Sequence, residues 1–136
     1  MAEPAASIVA LTTFALQASI CLYDTIRSLK SQNRDARALR DEVGELSGVL
    51  ETLLETISNF PSLNFDNLTI LLKRCRTVCG DYEKLIARCT KHSNESRPSF
   101  RMWFQQTFQQ GSINDFKAQL ATYKATINIA LANANM

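Results

Sequence analysis

The stretch "PAASIVALTTFALQASICLY", residues 4–23, carries no charged side chain over twenty positions. A helix needs roughly 20 apolar residues to cross a bilayer. This one spends five positions on hydroxyl or amide side chains: Ser7, Thr12, Thr13, Gln17 and Ser19. A secretory signal is not expected either, because Met1, Ala2 and Glu3 before it supply no basic residue. Ile8, Leu11, Ala15, Ala18, Leu22, Ile26 and Leu29 recur at steps of three and four, and Val9, Leu16, Ile20 and Tyr23 widen their face. Thr13, Gln17 and Asp24 form a thin polar stripe. The pattern predicts an amphipathic helix from Pro4 to Leu29 with a wide apolar arc. Pro4 suits the first turn, where a missing N–H costs nothing.

The rest of the chain repeats the helical period. Leu39, Val43, Leu46, Leu50, Leu53 and Ile57 step 4, 3, 4, 3, 4, a heptad seam for a second helix over 35–58. Gly44 and Gly48, four apart, weaken that helix or admit another backbone closely. After the break "NFPSLNF" (59–65), Asp66 is the expected N-cap of a third helix over 67–91. Its seam is Leu68, Leu72, Cys75, Cys79, Tyr82, Ile86 and Cys89. "KHSNESRPS" (91–99) reads as a loop and "FRMWFQQTF" (100–108) as a short aromatic helix ended by Gly111. "SIND" (112–115) reads as a capping box that opens a last helix through Ile113, Phe116, Leu120, Tyr123 and Ile127 to Leu131. No strand-like alternation of useful length occurs. The expected fold is all-α, an antiparallel bundle of four to five helices with a hydrophobic N-terminal helix, one domain over 1–136.

The chain has 136 residues, 46% of them hydrophobic and 21% charged, with a net charge of +2. That charge is too small to point to nucleic acid. Its distribution is uneven: residues 1–65 carry a net −3 and residues 66–101 a net +4. Lys73, Arg74, Arg76, Lys84, Arg88 and Lys91 make the third helix basic, a surface that suits anionic headgroups or simply water.

Catalytic and metal chemistry find little support. Cys75, Cys79, Cys89 and His92 mimic a zinc set, yet 79 and 89 lie about 15 Å apart along one helix, far beyond two zinc–ligand bonds. Seam cysteines behave as small hydrophobes. The single histidine has no evident nucleophile partner, and the four glycines are isolated, so no phosphate loop is present. No enzyme activity, cofactor or metal site is expected. Trp103 and Phe104 are candidates for an aromatic anchor or for a plug at one end of the bundle.

"ASIVALTTFALQASICLYDTIRSL", "ALRDEVGELSGVLETLLETI" and "INDFKAQLATYKATINIAL", in that order, resemble the HeLo-like N-terminal domain of fungal STAND (NOD-like) proteins. The resemblance spans nearly the whole chain and includes no catalytic signature. It implies a helical bundle at the front of a longer cytoplasmic receptor, related to the bundles of necroptosis executioners. Some relatives are linked to pigment gene clusters instead. In this reading, oligomerisation frees a membrane-active first helix led by Ile8, Val9, Leu11, Phe14, Leu16, Ile20 and Leu22. Its partners are further copies of itself or other protein domains, and anionic lipid. The competing expectations are a soluble protein-interaction module, and a bundle that holds an apolar small molecule or lipid in its interior.

Overall fold

The computed structural model describes residues 4–29, 34–92 and 110–134. Four α-helices account for nearly all of them: α1 (Pro4–Arg27), α2 (Arg34–Asn59), α3 (Thr69–His92) and α4 (Gln110–Ala134). A 3₁₀ turn, Asp66–Leu68, leads into α3. No strand occurs among the described residues. The fold is the all-α bundle that the heptad seams require.

The ends of the helices differ from the sequence reading in three places. The first helix stops at Arg27, and Leu29 N–H closes a tighter turn on the Ile26 carbonyl at 3.1 Å. Asp66 does not cap α3. It opens the 3₁₀ turn, and its N–H is held by Asn64 Oδ1 at 2.8 Å, so a short polar residue two positions earlier supplies the acceptor. Gly111 and Ser112 lie inside α4, which starts at Gln110. The helix therefore runs through the expected capping box. The short aromatic helix with Trp103 and Phe104 lies outside the described residues.

Pair contacts fix the direction of each helix. Ser47 Oγ lies 2.9 Å from Ser19 Oγ, and a Cβ on Gly44 would meet the Tyr23 ring at 3.1 Å, so α1 and α2 run antiparallel. Arg76 sits over Phe14, and Thr25 Oγ1 donates to Glu83 at 3.3 Å, so α3 runs parallel to α1. Tyr82 stacks on Phe116, with centroids 3.9 Å apart, while Tyr123 lies near Cys75 and Cys79, so α4 returns antiparallel to α3. Successive helices alternate in direction as expected. The broadest packing is α1 on α3 and on α2, with α4 against α2 and only lightly against α3. Thus α1 stands between α2 and α3, which meet each other little directly and share the core.

The core is the sum of the seams. Leu39, Val43, Leu46, Leu50, Leu53 and Ile57 of α2 are buried, as are Leu68, Leu72, Cys75, Cys79 and Ile86 around α3 and Phe116, Leu120, Tyr123, Ile127 and Leu131 of α4. The α1 seam is shifted from the one read in the sequence. Ile8, Thr12, Ala15, Ser19, Leu22, Ile26 and Leu29 are buried, stepping 4, 3, 4, 3, 4, 3, whereas Leu11 and Ala18 are only partly buried. Two hydroxyls thus occupy core positions. They are tolerable because each bonds its own helix: Thr12 donates to the Ile8 carbonyl at 2.7 Å and Ser19 to the Leu16 carbonyl at 2.8 Å. Small residues at 12, 15 and 19 let the neighbouring helices come close to the α1 axis.

Candidate functional site

Since the middle of the α1 seam is small, its larger apolar side chains fall on the flanks and the outside. Of the seven residues assigned to a membrane-active helix, Ile8 and Leu22 are buried and Val9, Leu11 and Leu16 are partly buried. Phe14 and Ile20 are exposed, at 41% and 44% of their surface. The apolar set is therefore divided between core and solvent. The polar stripe lies between the two exposed residues, with Gln17 and Asp24 in water and Thr13 half-buried. Thr13 donates to the Val9 carbonyl at 2.8 Å, so its hydroxyl too is satisfied within α1. By length and composition Ile8–Arg27 can cross a membrane, yet only 28% of its most apolar window is buried.

Two features flank this face. On the α3 side the Arg76 guanidinium lies 4.5 Å from the centre of the Phe14 ring. Such a contact stabilises by about 0.5–1 kcal/mol at an exposed site. Lys73, Arg74 and Lys84 are exposed on the same helix, while the side chains of Arg88 and Lys91 lie outside the described residues. On the α2 side is an open groove lined by Ile20, Tyr23, Asp41, Gly44, Glu45 and Ser47. A Cβ on Gly44 would meet the edge of the Tyr23 ring at 3.1 Å, so the glycine lets that ring lie close over α2. The glycine pair in the sequence was the only hint of this groove.

The cysteines form no reactive or metal centre that can be read from the described side chains. Cys75 and Cys79 are both buried, and the thiol of Cys79 is pushed far up by its hydrogen bond with Cys75 and by burial. A metal ligand or nucleophile needs the thiolate. Helix α3 passes Gly80 without a break, which keeps positions 79 and 89 about 15 Å apart. The side chains of Cys89 and His92 lie outside the described residues.

A latch that sequence reasoning missed joins α4 to α2. Lys124 Nζ lies 2.7 Å from Glu45 Oε2 and 3.3 Å from Glu42 Oε1. The Glu42 oxygen is buried and makes a charge contact without hydrogen-bond geometry. The bond to Glu45 raises the Lys124 pKa, against a smaller opposing effect of burial. Burial raises Tyr82, helped by Asp115, and burial also raises Tyr123. All three groups hold their protons more tightly when folded. Their contribution to stability is complete below the ordinary tyrosine and lysine values of about 10 and 10.4 and fades as pH climbs through the higher folded values. Thermal unfolding followed from pH 9 upward should show a steep alkaline loss. Lys124→Met should be less stable at pH 9 and should show a shallower loss. An equal slope in both proteins would refute the latch.

A family model described as Pigment biosynthesis cluster protein PigL N-terminal matches residues 2–136. Its members are helical domains of fungal pigment-cluster proteins. No curated protein and no solved structure matches the chain.

Proposed function

We propose, from the premise that the chain belongs to this pigment-cluster family, a non-enzymatic effector domain whose first helix turns to the membrane when chains are clustered. The observation that carries the reading is the self-sufficiency of α1. The hydroxyls of Thr12, Thr13 and Ser19 are all satisfied by α1's own carbonyls, so leaving the bundle exposes few unpaired polar groups. Phe14 and Ile20 already face water, and exposed Lys73, Arg76 and Lys84 stand on the neighbouring helix, ready for anionic headgroups. The resemblance to HeLo-like domains supports the same reading.

The test is flotation with vesicles containing phosphatidylserine, using the chain alone and the chain fused to an inducible tetramerising tag. Clustering should drive recruitment and leakage, and added salt should reduce both. Phe14→Asp with Ile20→Asp should cut recruitment at least tenfold while leaving the helix content unchanged, since both side chains are on the surface. Absence of binding even by the clustered chain would end the membrane reading. It would favour the second one, a protein-interaction module that takes a partner in the Ile20–Tyr23–Gly44 groove.

A further inference from the structure

Helices α2 and α3 carry opposite charge on opposite sides of the bundle. From Asp41 to Leu72 the chain has no Lys or Arg, and Asp41, Glu45, Glu51 and Glu55 of that span are exposed on α2. On α3, Lys73, Arg74, Arg76 and Lys84 are exposed, with Asp81 as the exposed acid among them. Each charged face also has an open glycine at its middle. A Cβ added to Gly48 or to Gly80 would meet nothing within 4 Å. A mid-helix glycine costs stability relative to alanine, and neither of these two is required by packing among the described residues. Gly44 makes the contrast, because Tyr23 fills its space.

The geometry points to a head-to-tail contact in which the Gly48 face of α2 in one chain receives the Gly80 face of α3 in a second copy. Residues 41, 45, 48, 52 and 55 share one side of α2, and 73, 77, 80 and 84 share one side of α3. Within a chain α2 and α3 run antiparallel on either side of α1, so two bundles set side by side in one orientation bring them together antiparallel. Gly48 laid against Gly80 puts Lys73 opposite Glu55, Arg76 opposite Thr52 and beside Glu51, and Lys84 opposite Gly44 and beside Glu45. Asp81 then faces uncharged Ser47. Lys73 to Lys84 spans about 16 Å, the same rise as Gly44 to Glu55. The register ends at Arg40, which pairs with Asp41 of its own helix at 3.0 Å. Because the two faces differ, each added copy leaves one of each kind free, and the contact propagates instead of stopping at a dimer. This rests on the proposed function and supplies its clustering step; within an assembly Lys73, Arg76 and Lys84 face the next copy and meet headgroups only at the free end, so recruitment of the assembly rests on α1.

Sedimentation velocity of the 136-residue chain over a concentration series tests the contact, at low and high ionic strength. The expected result is mass growth beyond a dimer at low salt, lost at high salt. Lys73→Glu with Lys84→Glu should hold the chain at single-chain mass, and so should Glu51→Lys with Glu55→Lys. Mixing the two variants should restore growth, since each then offers the face that the other lacks. Gly48→Leu should block assembly while raising the unfolding temperature, which separates contact from folding. Chains that stay monomeric at low salt, or variants that assemble as the parent does, would overturn the contact. Vesicle recruitment by tag-clustered chains that never self-associate would remove this contact and leave the membrane reading standing. Self-association without recruitment would keep the contact and remove the membrane reading.

Discussion

Leu50→Ala should destabilise the domain by about 3 kcal/mol, within the roughly 2–5 kcal/mol typical of a buried leucine truncated to alanine. Leu50 is fully buried at the middle of α2, the helix that contacts both α1 and α4. Truncation there removes packing from the buried seam of that helix, and the close-packed helices cannot simply collapse into the space. For a domain of this size the loss corresponds to a drop of about 12 °C in unfolding temperature. Ile70→Ala is the matched control. Ile70 is 65% exposed, and its truncation should change stability by less than about 0.5 kcal/mol. Chemical unfolding of the three proteins checks both numbers. Equal effects at positions 50 and 70 would mean that the α2 seam is not the core.

The second large effect concerns a place where α1 and α2 are joined by a hydrogen bond between small side chains. Ser19 is fully buried and bridges to α2 through Ser47, with 2.9 Å between the two hydroxyls. Leucine at 19 adds bulk where the seam is built of Thr12, Ala15 and Ser19, and overpacking of this kind costs about 1–3 kcal/mol. It also removes the contact between the two hydroxyls, after which the Ser47 proton goes to the Val43 carbonyl, 3.0 Å away. Ser19→Leu should therefore lower stability by about 2 kcal/mol. It should also raise vesicle recruitment of the unclustered chain several-fold, because α1 becomes both worse packed and more apolar. Leu50→Ala weakens the bundle without changing α1, so the pair of variants separates general loosening from release of the first helix. Recruitment that tracks stability alone would count against a specific role for α1. Ser19→Ala, which keeps the volume small, should show neither effect strongly.

The two variants also mark where the sequence was informative. Leu50 was legible as core because its seam is made of large aliphatic residues at heptad steps, and burial of such residues dominates every alternative. Ser19 was not legible as core. A hydroxyl reads as a surface group until its acceptor is known, and that acceptor is a carbonyl three residues back. The same ambiguity shifted the α1 seam from Leu11 and Ala18 to Thr12 and Ser19.

By itself, the sequence determined that the chain is helical, where the described helices fall and which faces of α2, α3 and α4 are apolar. These follow from local period and from the scarcity of glycine and proline in the chain as a whole, four and three residues. It also determined that charge is segregated between α2 and α3, since charges are read directly from the chain. Only the tertiary structure decided which helices are neighbours, that α1 lies parallel to α3, and that Phe14 and Ile20 are left outside. It also decided that Lys124 reaches Glu42 and Glu45, and that Gly44 is filled while Gly48 and Gly80 stay open. The physical reason is that α1 is apolar over most of its circumference. Its own pattern cannot choose a buried side, and the choice falls to whichever neighbours pack best against its smallest residues.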